Sequence, residues 1–134
     1  YPWGNRFVEG RCNSEEAGIG GTTPVGAYSP AGDSPYGAAD MAGNVWEWCA
    51  DWYAEDSYRE SPVRNPTGPR DGYGRVLRGG AYWNDKGRVG CCVRFNGPPS
   101  DRSGYYGVRV CASPPPLPSD PSGPLASEKM VAAE

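Results

Sequence analysis

The sequence contains no histidine and no clustered run of lysine or arginine. Without histidine, mixed Cys/His zinc sites and His-ligated iron sites are excluded. The formal net charge is −3, and without a basic run it gives no sign of nucleic-acid binding. No segment approaches the roughly 20 apolar residues that a membrane-spanning helix needs. These absences leave a globular domain that does not rely on histidine chemistry.

Hydrophobic residues are also scarce, at 37%, while 20 Gly and 15 Pro make up about a quarter of the 134 residues. This composition predicts many turns and little regular structure. Five Trp, nine Tyr and two Phe nevertheless supply large side chains for a core. Since the length suits one domain rather than two, we expect a single compact, loop-rich domain.

The number of cysteines is odd: Cys12, Cys49, Cys91, Cys92 and Cys111. An odd count argues against a closed disulfide framework, and the spacings fit no zinc pattern. We expect buried, reduced thiols that act as small hydrophobic side chains. A single bridge involving Cys49 or Cys111 is the alternative.

Charge is distributed unevenly along the chain. Residues 1–58 carry nine acidic and two basic side chains, whereas residues 59–111 carry four acidic and ten basic ones. Because Arg pairs well with carboxylates, we expect the two halves to attract each other within one fold.

Five short segments are predicted to be strands: 22–28, 45–53, 75–78, 89–95 and 106–111. The second of these has an ambiguous period, and its aromatic content favours a strand over a helix. A long polar loop is expected at 54–74, and a Pro-rich, extended or disordered tail at 113–134.

Residues 75–82 and 107–110 have the character of a rigid strand-and-turn frame, and short tolerant blocks lie between them. A rigid frame that carries tolerant positions is how binding surfaces are commonly built. The segment therefore indicates recognition rather than chemistry.

Four motifs occur in order: YPWGN at 1–5, GGTTPVG at 20–26, MAGNVWEW at 41–48 and RVLRGG at 75–80. Together they resemble the formylglycine-generating, sulfatase-modifying-factor family. The resemblance implies an α+β, loop-rich fold of the C-type-lectin-like kind with short antiparallel strands, here spanning 1–112. Family domains carry a further N-terminal stretch, so we expect that part to be missing and to be a partner of this chain.

The family's enzymes oxidise a sulfatase cysteine with two copper-bound cysteines. Counted from Gly79 and Gly80, those positions are Asn84 and Val89 in this chain. An amide and an alkyl group cannot do thiolate chemistry. A second branch of the family binds iron through histidine, which this chain lacks. The resemblance therefore predicts no copper site, no iron site and no catalysis.

Residues 79–109 are most similar to the variable region of diversity-generating retroelement proteins. There, adenine-directed mutagenesis rewrites AAC codons at surface positions. Arg94 and Arg102 each precede a block, 95–98 and 103–106, that holds residues reachable from AAC, and a Gly-Val-Arg-Val closure follows. In the block 82–88, Trp83 and Lys86 are not reachable, so this block fits less well.

The resemblance predicts a non-catalytic, receptor-type protein that binds a protein or cell-surface ligand through this surface. Tyr is well suited to such a surface because it combines large area, few rotamers and a polar tip. The candidate ligand-binding residues are Tyr82, Trp83, Asn84, Asp85, Arg88, Phe95, Asn96, Asp101, Ser103, Tyr105 and Tyr106.

The family also holds structural Ca²⁺ near its Gly-Asn-Val-Trp-Glu motif, which implies a site at Asn44, the Val45 carbonyl and Glu47. A second family site would use Asn13 and Ser14, although its carboxylate position is occupied by an alanine.

Two groups of residues are expected to be structural rather than functional. The first is the tryptophans of the core, Trp46, Trp48 and Trp52. The second is the arginines in strand-like runs, Arg78, Arg94 and Arg109. Such arginines need partners, for which Glu47 and Asp51 are candidates.

Two other functions stay open at this point. One is a formylglycine-generating oxidase acting on sulfatase cysteine, or its degenerate remnant. The other is a structural domain of a larger signalling protein, joined through the Pro-rich tail. Since the chain opens without Met, we expect its natural start to lie upstream, and a secreted or cell-surface location stays open.

Overall fold

The computed structural model describes residues 1–111. Its regular elements are a 3-10 turn at Glu15–Ala17, strand β1 at Trp46–Trp52, helix α1 at Ser57–Glu60, strand β2 at Arg75–Arg78, strand β3 at Phe95–Gly97 and strand β4 at Tyr106–Val108. The four strands form one sheet in the order β3-β2-β1-β4. The predicted tail lies outside the described residues. Within those residues no helix has the length and apolar character needed to cross a bilayer.

Strand β1 is central to the sheet, and the prediction of a strand rather than a helix at 45–53 is confirmed. It pairs antiparallel with β2, with Trp48 opposite Leu77, and β2 pairs antiparallel with β3, with Leu77 opposite Phe95. Since directly opposite residues share a face, these side chains lie on one side of the sheet. The pleat alternates, so Val76 and Arg78 point to the other side.

Strand β4 lies parallel to β1, on the side away from β2, with Trp46 opposite Tyr106. The short antiparallel strands implied by the resemblance are therefore joined by one parallel pair. Close approach is allowed at Gly107, where an added Cβ would lie 2.7 Å from Cγ2 of Val45. The pairing brings the end of the predicted variable region against the central strand.

Two small clusters form the core. One contains Cys12, Ala42 and Val89, with Tyr1, Trp3 and Phe7 packed against it. The other contains Trp46, Leu77 and Ala81, with Trp48, Val93, Tyr105 and Tyr106 packed against it. The tryptophan prediction is confirmed for Trp46, which is 4% exposed, while Trp48 and Trp52 are half-buried.

Gly79 and Gly80 end β2 with positive φ angles of 90° and 78°. Only glycine adopts such a conformation readily. At Gly80 an added Cβ would also lie 2.8 Å from both the Arg88 carbonyl oxygen and Cγ1 of Val89. The double glycine therefore folds the start of the predicted variable region back onto the core.

Two predicted strands are wrong. Segment 22–28 is a series of turns, with Ala27 N–H donating to the Pro24 carbonyl. In segment 89–95 the chain also turns first, with Val93 N–H donating to the Gly90 carbonyl, and the strand begins only at Phe95. Strand β4 begins at the predicted residue but ends at Val108. Short strands between turns leave little periodicity to read.

All five cysteines are free thiols in the structure. Cys12 is buried and Cys49 half-buried, as expected of small hydrophobic side chains, but Cys91, Cys92 and Cys111 are exposed. The prediction of buried thiols is therefore wrong for these three.

Candidate ligand-binding face

An aromatic face, formed by Trp83, Phe95, Tyr105 and Tyr106, lies on the side of the sheet that carries Trp48. Tyr106 packs against Trp48 with ring centroids 5.1 Å apart, and Tyr105 packs edge-on against Tyr106 at 4.9 Å. Trp83 then meets Tyr105 at 5.5 Å, also edge-on. The chain of contacts runs from the half-buried Trp48 outwards, so the face is anchored in the core.

The outer members of this face are open to solvent. Trp83 is 47% exposed and Phe95 is 49% exposed, and Phe95 packs its inner side against Trp46 at 5.7 Å. Tyr105 and Tyr106 are half-buried, and burial raises the pKa of the Tyr106 hydroxyl. Large aromatic rings that pack against the core on one edge and are exposed to solvent on the other are good binding anchors.

The polar candidate residues differ in their exposure to solvent. Asp85, Arg88 and Asp101 are exposed, whereas Asn96 and Ser103 are half-buried.

Asp85 also holds its own loop, because its Oδ1 accepts a hydrogen bond of 2.8 Å from Gly87 N–H. Tyr82 is half-buried, and its N–H donates to the Asn44 carbonyl at 3.0 Å.

Asn84 does not belong to the exposed surface. It is 2% exposed, and its Oδ1 accepts a 2.9 Å hydrogen bond from Ala81 N–H. Its carbonyl oxygen accepts another, also 2.9 Å long, from Glu15 N–H. Because the side chain closes a turn within the scaffold, the prediction of Asn84 as a ligand-binding residue is corrected.

Glu16, which no sequence motif had singled out, ties the tolerant block at 82–88 to the scaffold. Its Oε1 accepts a hydrogen bond of 2.8 Å from Lys86 N–H, and its Oε2 accepts one of 2.7 Å from the Ser14 hydroxyl. Burial opposes ionisation here, but these two hydrogen bonds outweigh it and hold the pKa of the Glu16 carboxyl below its usual value. The Tyr1 hydroxyl donates to the Lys86 carbonyl at 2.7 Å, so both backbone groups of Lys86 are fixed.

Glu47 and Arg109 form the ion pair that the charge asymmetry predicted. Both carboxylate oxygens of Glu47 accept from the guanidinium, at 2.7 and 2.9 Å. This bidentate contact with Glu47 raises the pKa of Arg109. The Arg109 Nη2 also donates to the carbonyls of Ala39 and Asp40. The pair joins β1 to the chain beyond β4.

Among residues 1–111 Arg78 has no carboxylate partner, contrary to the prediction. Its Nη1 donates to the carbonyls of Cys91 and Val93, at 3.3 and 3.2 Å, and its Nη2 donates to the Tyr58 hydroxyl. The guanidinium therefore holds the turn before β3 through backbone oxygens.

Arg94 uses carbonyls in the same way. Its Nη1 donates to the Ala54 carbonyl and the Ser57 hydroxyl, both at 2.8 Å, and its Nη2 donates to the Glu55 carbonyl at 2.7 Å. Asp51 forms no ion pair with any described arginine. The expected role of Asp51 as an arginine partner is therefore wrong.

The calcium site predicted at Asn44, Val45 and Glu47 does not suit this arrangement. Asn44 Oδ1 already accepts hydrogen bonds from Thr23 N–H and Asn13 Nδ2, at 2.9 and 3.1 Å. The Glu47 carboxylate is occupied by a guanidinium, whose charge would repel a cation. No cluster of three or more His, Cys, Asp or Glu side chains suited to a metal occurs among residues 1–111.

At the second calcium site implied by the family, Asn13 is a better candidate ligand than Ser14. It is 1% exposed, and its Oδ1 has no hydrogen-bond partner in the described part of the chain. The neighbouring Ser14 hydroxyl already donates a hydrogen bond to Glu16. One free oxygen is too few for a calcium ion, which takes six to eight.

The small mixed sheet, the sparse helix and the long ordered loops define an α+β domain of the C-type-lectin-like kind. The sequence profile of the family described as Sulfatase-modifying factor enzyme 1-like domain matches residues 1–114. The chain belongs to this family, which confirms the resemblance read from its motifs.

Proteins similar to this chain carry names that imply different functions. The chain is 40% identical over 129 residues to the formylglycine-generating enzyme of Streptomyces coelicolor, a match that covers 84% of this chain and 40% of that one. It is 42% identical over 114 residues to serine/threonine-protein kinase pkn1 of Chlamydia pneumoniae, which covers 84% of this chain and 17% of the kinase. Among solved structures, Treponema denticola variable protein 1 superposes with a TM-score of 0.66 and 31% identity, over 75% of this chain and 35% of that one. The chain thus spans less than half the length of these relatives.

Proposed function

We propose that this chain is a non-catalytic, ligand-binding domain that displays a diversified surface on a C-type-lectin-like scaffold. The observation that carries the proposal is the burial of Asn84 and Val89, which are 2% and 0% exposed. These are the positions that the family resemblance assigns to the catalytic cysteines. Both side chains serve the scaffold instead, since Asn84 closes a turn and Val89 packs in the core. Neither group can act as a thiolate.

The separation of scaffold from surface within one segment supports the proposal. Buried Asn84 and Val89 are interleaved with the exposed Trp83, Asp85 and Arg88. Exposed positions between fixed ones tolerate substitution with little effect on stability. A segment built this way suits repeated rewriting of its outer residues.

The chemistry of the face suits a protein or cell-surface ligand. Exposed Trp and Phe rings supply apolar anchors, and nearby Asp and Arg side chains supply charged contacts at the rim. The similarity to a segment of a much longer protein named as a kinase is consistent with such a domain serving as one binding module among others.

A binding screen of the 134-residue chain against purified cell-surface proteins tests the proposal. For any ligand found, Trp83→Ala and Phe95→Ala are expected to weaken binding by about tenfold or more, because exposed aromatic anchors dominate such interfaces. Tyr36→Ala is the matched control, since Tyr36 is 97% exposed and lies outside the variable region. A ligand whose affinity is unchanged in both aromatic variants contradicts a role for this face.

The genome offers a second test of diversification. We expect a template repeat near the gene that differs from codons 79–109 only at adenines. A locus without such a repeat or a reverse transcriptase would remove the diversified part of the proposal and leave a binding domain of fixed sequence.

The second candidate function is oxidation of a sulfatase cysteine, favoured by the 40% identity to a protein named formylglycine-generating enzyme. Exposed Cys91 and Cys92 would have to replace the two missing thiols. We expect no conversion of a cysteine-containing sulfatase peptide when copper and oxygen are supplied. Conversion that disappears in the variant Cys91→Ser/Cys92→Ser would overturn the non-catalytic proposal.

A further inference from the structure

The side of the sheet opposite the aromatic face carries a pocket of about 370 Å³. Its wall includes Cys49 of β1, Val76 and Arg78 of β2 and Arg94 just before β3, and Val63 of the polar loop lies at its edge. A volume in this range accepts a small organic molecule. The pocket shares no lining residue with the candidate ligand-binding residues above, so a ligand here would be independent of the proposed function.

The two arginines come together around one tyrosine. Arg78 donates to the Tyr58 hydroxyl, and Cζ of Arg94 lies 4.6 Å from the centre of the Tyr58 ring. Tyr53 stacks on Arg94 as well, at 4.8 Å. Two guanidinium groups thus flank a single side chain, and all three side chains belong to residues that line the pocket.

Neither of these two groups has an ion-pair partner within the described residues. The ion pairs found there join Arg59 to Asp56 and Arg109 to Glu47, and neither involves Arg78 or Arg94. Asp51 also lines the pocket, but its carboxylate lies beyond ion-pair distance of both guanidiniums. The partners of the two arginines are otherwise neutral carbonyl and hydroxyl oxygens. Two positive charges held by neutral acceptors favour an anion.

Each guanidinium also keeps donors in reserve. A guanidinium carries five N–H donors. Arg78 and Arg94 each use three of them, two on Nη1 and one on Nη2, for the contacts described above. The Nε–H and one Nη2–H of each have no partner in residues 1–111. Nε and Nη2 together form the edge of a guanidinium that can bind a carboxylate in bidentate fashion.

We propose that this pocket binds a small organic carboxylate, with its charged end on Arg78 and Arg94 and its apolar body against Val76. The planar donor fork selects the carboxylate, and the apolar walls select a hydrocarbon body over a fully hydrated inorganic ion. The side of the sheet opposite the aromatic face thereby carries a second binding site.

The reactivity of Cys49 can report binding, because its half-buried thiol lines the same pocket. The test measures the rate at which iodoacetamide alkylates each cysteine of the full chain, by mass spectrometry of the peptides. Benzoate is the probe, and benzamide is its neutral match in size and shape. Benzoate is expected to slow alkylation of Cys49 in a saturable manner, while exposed Cys91, Cys92 and Cys111 react at unchanged rates. Benzamide is expected to leave Cys49 unprotected.

Arg94→Gln removes one of the two charges and is expected to weaken benzoate protection about tenfold or more. Since Arg94 also holds the loop at residues 54–57, a second pair of variants avoids dependence on that loop. Val63 is fully exposed at the edge of the pocket, so Val63→Glu and Val63→Gln should both fold. The two differ only in charge, and benzoate is expected to bind the Glu variant several-fold more weakly.

Three outcomes overturn the proposal. The first is no protection of Cys49 by benzoate at any concentration. The second is equal protection by benzoate and benzamide, which would indicate apolar binding alone. The third is equal benzoate affinity in Val63→Glu and Val63→Gln, or undiminished affinity in folded Arg94→Gln.

Discussion

The ring of Tyr106 packs against the ring of Trp48 with centroids 5.1 Å apart, across the parallel pair of strands β1 and β4. This contact joins the predicted variable region to the core. Its consequence is that the candidate binding residues are not equivalent. Tyr106 supports the fold as well as the face, whereas Trp83 and Phe95 present about half of their surface to solvent.

Replacement of Tyr106 by alanine is expected to lower the free energy of unfolding by about 2 kcal/mol, because a half-buried aromatic ring leaves a gap beside Trp48. Chemical denaturation of the two proteins measures the difference. Tyr73→Ala is the matched control, since Tyr73 is 83% exposed and its loss should cost less than about 0.5 kcal/mol. Equal stability of the Tyr106 variant and the natural chain would show that the ring contributes to the surface only.

Replacement of Gly80 by alanine should destabilise the domain by about 2 kcal/mol or more, since the residue has a φ of 78° and the new Cβ would lie 2.8 Å from the Arg88 carbonyl oxygen. Thermal denaturation checks this result. Gly104→Ala serves as the control because an added Cβ there meets no atom within 4 Å. Similar melting temperatures for the two variants would contradict the tight turn that begins the predicted variable region.

Replacement of Glu16 by glutamine should alter the pH dependence of stability. Its carboxyl pKa is lowered in the folded state, because hydrogen bonds from Lys86 N–H and the Ser14 hydroxyl outweigh desolvation. The carboxylate therefore stabilises the fold above the unfolded pKa of about 4.5, and that contribution is lost as pH falls through the lower folded pKa.

Melting curves between neutral and acidic pH test this dependence. The natural chain should melt higher than Glu16→Gln at neutral pH, and the difference should shrink as pH falls below the unfolded pKa. Glu15→Gln, one residue away, is the control for a general change of charge. A difference that is constant with pH would show that the carboxylate is not the group responsible.

Addition of calcium at millimolar concentration, or its removal by a chelator, is expected to leave the melting temperature unchanged. The reason is that Glu47 holds a guanidinium in bidentate fashion and Asn44 Oδ1 is already filled with hydrogen bonds. A saturable rise in melting temperature would contradict this expectation. The variant Asn13→Ala would then show whether Oδ1 of Asn13, which has no hydrogen-bond partner within residues 1–111, is a ligand.

Sequence patterns predicted secondary structure best where it depends on residues that are close along the chain. The alternation of aromatics at 45–53 identified β1, and the run before Gly79 identified β2, because a pleated strand repeats every two residues. Segments 22–28 and 89–95 failed for the opposite reason. Apolar residues there are held by turns and by the core cluster around Val89, so composition suggested strands where hydrogen bonding made none.

The candidate site was predicted less evenly. Its aromatic members were selected for their chemistry, and they do lie together, but Asn84 was grouped with them because it falls within the same segment. Adjacent positions in that segment alternate between buried and exposed with no regular period. The partners of Arg78 and Arg94 were also missed, because backbone carbonyls are present at every residue and leave no signal in the sequence.

Family membership, the loop-rich character and the lack of cysteine at positions 84 and 89 follow from the order of residues alone, since each depends on identity and spacing. Exposure, long-range pairing and the grouping of charges depend on the fold. Glu47 meets Arg109 across 62 residues, and Glu16 meets Lys86 across 70. Contacts of such separation arise only when the sheet and its glycine turns bring distant segments together, which local patterns do not specify.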